Sequence, residues 1–137
     1  MKIVIDTNVI VSALLNSSST PGEIFLKVFN KKLFISYDNR ILVEYIDVLN
    51  RDKFKINKDL VKIIIEFIKK EWVFILAESV KIDFSDKSDK KFYEVYKSTG
   101  TQYFITGNIK HFPKEKEIVT PKEFLNKFSP EFRKEHH

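Results

Sequence analysis

The chain of 137 residues is 43% hydrophobic and 31% charged, which fits one globular domain and excludes a disordered chain. It has no cysteine, so disulfide frameworks, thiolate zinc sites and cysteine nucleophiles are excluded. The 24 Lys and Arg against 19 Asp and Glu leave a formal +5, which permits contact with phosphates but is equally explained by a solvated, lysine-rich surface.

Residues 2–6 (KIVID) are a short apolar run ending in a carboxylate, the pattern of a buried parallel strand. A helix is predicted over 8–15, then a loop at 16–19. Thr20-Pro21-Gly22-Glu23 has a capping-box pair and an early proline, and the helix it opens carries Ile24, Phe25, Val28 and Phe29 on one face. A second strand is predicted at 33–37, with Asp38 as the cap of a helix over 39–50 that turns Ile41, Leu42, Tyr45 and Leu49 inward. The next helix, 58–71, is expected to bury Leu60, Ile64, Phe67 and Ile68 before a third strand at 72–76. Ser88 or Asp89 is expected to cap a helix through Phe92, Val95 and Tyr96 that stops at Gly100. Residues 102–106 read as a fourth strand and Ile118-Val119 as a short fifth. Thr120-Pro121-Lys122-Glu123 repeats the capping box before a last helix with Phe124, Leu125 and Phe128. One domain over 1–133 is expected, and 134–137 resembles the start of a polyhistidine tag. No apolar stretch approaches the ~20 residues of a membrane span, and Asp6 interrupts the first segment too early for a signal-peptide core. A reducing, cytoplasmic setting is expected.

Apolar strands alternating with amphipathic helices imply a three-layer α/β/α sandwich around a mostly parallel sheet of four or five strands. Such sheets bind ligands beyond the carboxyl ends of their strands. Nucleotide-binding glycine loops are absent, and His111 has no serine in a nucleophile-elbow context, which argues against serine hydrolase chemistry. Acidic or amide groups do follow every main strand: Asp6, then Asp38 and Glu44, then Asp83, Asp86 and Asp89, then Asn108. Carboxylates gathered on one edge repel unless a cation neutralises them, and oxygen donors favour Mg²⁺ or Mn²⁺ over zinc. Such an ion suits phosphodiester hydrolysis, because it activates water and offsets charge on the leaving oxygen.

Each residue also has a plainer reading. Asp6 could cap the first helix, Glu44 could pair with Arg40 one turn away, and Asp89 could complement a helix dipole. Asn108 is a natural turn residue, and His111 reads as a loop contact.

The joint pattern is more specific than its parts. From IVIDTNVIVSALL through ISYDNRILVEYIDVLNRDKF and DFSDKSDKKFYEVYKSTGTQYFITGNIKHFP to IVTPKEFL, the chain resembles PIN-domain nucleases. It resembles especially the PIN toxin components of bacterial and archaeal toxin–antitoxin pairs, the VapC-like group. The resemblance implies a metal-dependent ribonuclease on a sheet of order 3-2-1-4-5, with strands 1 and 4 adjacent. It implies metal ligation by Asp6, Glu44 and Asp89, and a fourth catalytic position at Asn108, where the family more often has aspartate (TGD rather than TGN). An amide can ligate through its oxygen but brings no charge. Asn8, in the DTN motif, and Thr106 are implied supporting residues that orient the ligands. Lys87, Lys90 and Lys110 are candidates for holding the nucleic-acid backbone. The partners implied are an RNA substrate, a cognate antitoxin and a second copy of the chain, with no membrane. Two other functions remain open on the same residues: a PIN-fold module that binds RNA or protein without cleaving it, and a structure-specific DNA nuclease.

Overall fold

A computed structural model describes residues 1–98 and 100–135, with side chains described through Phe128. Five parallel strands, β1 (Lys2–Ile5), β2 (Phe34–Tyr37), β3 (Val73–Phe74), β4 (Tyr103–Ile105) and β5 (Ile118–Val119), stand in the order β3-β2-β1-β4-β5. The expected α/β sandwich and its strand order are therefore present. Among the described residues five α-helices fill the connections, α1 (Thr7–Leu15), α2 (Thr20–Phe29), α3 (Asn39–Leu49), α4 (Lys58–Glu71) and α5 (Lys90–Lys97), and α6 (Pro121–Glu135) follows β5. Among the described residues none is long and apolar enough to cross a membrane.

The central strand shows why the sheet forms. Ile3, Val4 and Ile5 are fully buried, as a parallel strand covered on both faces requires. Ile5 pairs with Ile105 of β4, and the Asp6 N–H donates to the Ile105 carbonyl at 2.9 Å. The chain leaves β1 and β4 side by side at the point where strand order reverses. α5 packs on β1, β2 and β4 through Phe92, Val95 and Tyr96, while α2 packs against α1 and α6.

Several local expectations need correction. Ser19, not Thr20, caps α2, because its hydroxyl accepts from the Gly22 N–H at 3.2 Å. A Cβ at Gly22 would lie 2.3 Å from the Ser17 carbonyl oxygen, so the close approach of the preceding loop demands glycine. In α4 the buried stripe is Val61, Ile64, Ile65 and Ile68, whereas Leu60 is exposed; Phe67 is half-buried, its ring 4.8 Å from that of Phe29. β3 is only two residues long, since Trp72 is the C-cap of α4 and Leu76 is exposed. Neither Ser88 nor Asp89 caps a helix through its side chain: Asp86 caps a 3-10 turn (Lys87–Asp89) that leads into α5. α5 ends at Ser98, short of Gly100, whose φ is +66°.

Other expectations hold. Asp38 caps α3 by accepting from the Ile41 N–H at 3.1 Å. Thr120 and Glu123 form the reciprocal capping box of α6. Within the tail, α6 runs to Glu135, and His136 and His137 lie outside the described residues.

Candidate active site

A cleft of about 1030 Å³ opens at the carboxyl ends of the strands. Asp6, Glu44 and Asp89 all line it, as do Asn8 and Asn108, although these residues are spread over a hundred positions of the chain. β1 delivers Asp6, α3 carries Glu44, the turn before α5 carries Asp89, and the turn after β4 carries Asn108. The basic side chains on the cleft are Arg40, Arg51, Lys53, Lys91 and His111.

Asp6 is 6% exposed, and its side chain caps nothing although it stands at the N-cap of α1. Its Oδ2 accepts from the Thr106 hydroxyl at 2.8 Å, and the Asn108 N–H in turn donates to Thr106 Oγ1 at 3.0 Å. Thr106 is fully buried, so this relay fixes the Asp6 carboxylate from the neighbouring strand. Burial pushes the Asp6 carboxyl above its ordinary 3.8; the Thr106 hydroxyl opposes the rise, and the negative charges of Asp89 and Glu44 add to it. Asp89 is likewise raised, first by burial and then by Asp86, with His111 and Lys91 pulling against them. One step further back, the fully buried Tyr45 donates its hydroxyl proton to the Ile5 carbonyl at 2.5 Å and ties α3 to the backbone just before Asp6.

Glu44 is placed differently. One carboxylate oxygen accepts from the Thr7 hydroxyl, and the other meets Lys91 Nζ at 2.8 Å. Lys91 also donates to the Ser88 carbonyl at 2.6 Å. His111 Nδ1 lies 3.2 Å from Asp89 Oδ2. Among the described residues, no three His, Asp or Glu side chains are gathered closely enough to hold one ion. Glu44 rests on Lys91 and Asp89 on His111, so the three carboxylates share a cleft without closing on one point.

The donor set nonetheless suits a hard divalent cation. It is built of oxygens, and Asp6 is buried among like charges with a hydroxyl, not a cation, as its partner. Asp6 and Asp89 would hold such an ion, with Glu44 and the Asn108 amide oxygen on the same cleft.

Several sequence expectations fare differently. Asn8 is exposed and, among the described residues, its side chain makes no hydrogen bond; its backbone N–H acts on the Asp6 carboxylate beside the Thr106 hydroxyl. Lys87, Lys90 and Lys110 do not line the cleft; Lys90 faces a smaller depression beside β3, and Lys110 a groove near β5. Glu44 does not pair with Arg40, whose guanidinium is taken by Asp38 and Glu94, both at 2.8 Å. Sequence reasoning passed over Lys91, Arg51, Lys53 and the placement of His111. Arg40, Glu44 and Asp47 fall at i, i+4 and i+7 of α3, a spacing that puts them on one face, and Arg51 follows just past the C-cap of that helix. His111 follows three residues after the strand-end Asn108. For Lys91 no sequence signal stood out.

A family model described as PIN domain matches residues 2–110. The chain belongs to the PIN domain family. No curated protein matches the sequence significantly. The PIN domain is a nuclease fold whose members typically work with divalent metal ions. The match takes in β1 through β4 and every cleft residue that carries a carboxylate; β5 and α6 follow it, β5 pairing with β4 and α6 packing on β5 and α2.

Proposed function

We propose that this PIN domain is a metal-dependent endoribonuclease of the cytoplasm, the toxin of a toxin–antitoxin pair. The observation that carries the reading is the cation deficit at Asp6: a buried carboxylate, raised by burial and by Asp89 and Glu44, at the mouth of the sheet. A bound Mg²⁺ or Mn²⁺ would supply water activation and offset charge at the phosphate. The protein's own residues do the rest. Thr106 holds Asp6 in one rotamer, and Tyr45 pins the backbone that presents it. Arg51 and Lys53 line the cleft with positive charge suited to the phosphates on either side of a scissile bond.

The RNA preference and the toxin role rest on the motif resemblance. A toxin of this kind needs a restraining antitoxin, and an arginine from such a partner would match the spare carboxylates of the cleft. The test is cleavage of matched RNA and DNA oligonucleotides with Mn²⁺, Mg²⁺ or EDTA. Metal-dependent cutting of RNA alone is the expected result. Equal cutting of both would make the protein a general nuclease, and tight RNA binding without cutting would make it a binding module.

A further inference from the structure

Lysine is a strongly hydrated point charge and is normally left in solvent. Lys91 is not: its side chain is 13% exposed, lodged between Glu44 and the Ser88 carbonyl at 2.8 and 2.6 Å. Ser88 belongs to the turn that carries Asp86 and Asp89, so one ammonium ties the α3 carboxylate to the segment presenting two other acids. The second oxygen of Glu44 is held by Thr7, the neighbour of Asp6. Glu44 is thus anchored on both sides by groups next to the acids with which it would share an ion. Of the two acids with which it would share an ion, Asp6 has a hydroxyl as partner and Asp89 a histidine ring.

We propose that Lys91 is a positioning residue that stands in for a divalent ion at Glu44 and competes with that ion for its carboxylate. The inference rests on the metal-dependent reading of the cleft. Two consequences follow from Coulomb's law. Before metal binds, the ammonium offsets part of the repulsion among Asp6, Glu44 and Asp89, and keeps Glu44 oriented toward the cleft. When metal binds, the same fixed positive charge opposes it, so affinity is set lower than the acids alone would give.

The test is calorimetric titration of Mn²⁺ into the parent, Lys91→Met and Lys91→Arg, beside thermal melts of each with and without the ion. Methionine keeps the length of the stem and removes the charge; arginine keeps the charge. The expected result is about tenfold tighter Mn²⁺ binding by Lys91→Met, with a lower metal-free melting temperature and a larger rise when Mn²⁺ is added. Lys91→Arg should bind at parent affinity. Should the methionine variant not fold, Lys91→Gln, which can still donate to the Ser88 carbonyl, serves the same comparison. Equal or weaker binding by the uncharged variant overturns the proposal, as does an arginine variant that binds as tightly as the methionine one. Binding by the uncharged variant but not the parent supports it in its strongest form. Absence of binding by every protein sinks the metal-dependent reading itself and the competition with it.

Discussion

Two pairs of acids, Asp38 with Glu94 and Asp6 with Asp89, are treated in opposite ways. Asp38 and Glu94 close around Arg40, with N–O contacts of 2.7 and 2.8 Å. Glu94 also accepts from the Val80 N–H at 2.8 Å, which fastens the irregular segment after β3. Burial pushes Glu94 up, but the Arg40 guanidinium and that N–H outweigh it, and the carboxyl sits below its ordinary 4.5. Asp6, buried, and Asp89, partly buried, have no such guanidinium and sit above their ordinary 3.8. The first group is complete and serves the fold. The second is incomplete, and the incompleteness is where a ligand's charge has a place.

The contrast can be broken from either side. Asp6→Asn should reduce RNA cleavage by about 100-fold or more, since even supporting residues of metal sites cost 10–100-fold when altered. Metal-free stability should stay level or rise slightly, because asparagine still accepts from Thr106 while one like charge is gone. Cleavage assays beside urea melts check both halves. Glu94→Gln should do the reverse. It should cost about 2 kcal/mol of stability, less than a fully buried pair would because Arg40 is half exposed, and leave cleft chemistry largely intact.

Acid titration sharpens the same contrast. Glu94 stabilises the fold above its unfolded value of 4.5, and that contribution is lost as pH falls through its lower folded value. Asp6 and Asp89 hold their protons longer in the fold than in the unfolded chain. Their contribution is present below 3.8 and is lost as pH rises through their raised folded values. The Glu94→Gln penalty should therefore shrink on acidification below 4.5, whereas any gain from Asp6→Asn should grow as pH climbs above 3.8 and then level off. Urea melts of the metal-free proteins between pH 3 and 7 would show a single common trend if the two groups were alike. The smallest effect is expected at Asn108, which is exposed and whose side chain makes no hydrogen bond among the described residues. Asn108→Asp should raise Mn²⁺ affinity a few-fold and RNA cleavage with it, with stability within about 0.5 kcal/mol of the parent. Unchanged affinity by calorimetry would leave Asn108 as a turn residue only.

Much of this was legible before any coordinates. The strand-end acids were visible because parallel strands announce themselves as apolar runs, and whatever follows them must lie on one edge. Helix faces were legible to within two residues: α4 buries Val61 and Ile65 where Leu60 and Phe67 were expected, since both sets share the 3.6-residue period. The cations were not legible. Nothing in the spacing separates Lys90, which turns toward β3, from Lys91, which turns into the cleft, because that choice is made by how α5 seats on the sheet. Nor could sequence show that Asp86 would take the capping duty and leave Asp89 free of it.

The position of β1 carries a consequence for how the molecule comes into being. β1 is the middle strand of the sheet, and its second neighbour, β4, is about a hundred residues further along the chain. The Asp6–Thr106 hydrogen bond spans 100 positions, one of the longest loops this chain can close. Contacts of that separation form late, after their closure entropy has been met by other packing. A nascent chain that has not reached Gly107 carries Asp6, Glu44 and Asp89 but no rigid place to put them. The cleft is therefore assembled only once β4 has joined the sheet, and a copy interrupted before Gly107 is an inert one.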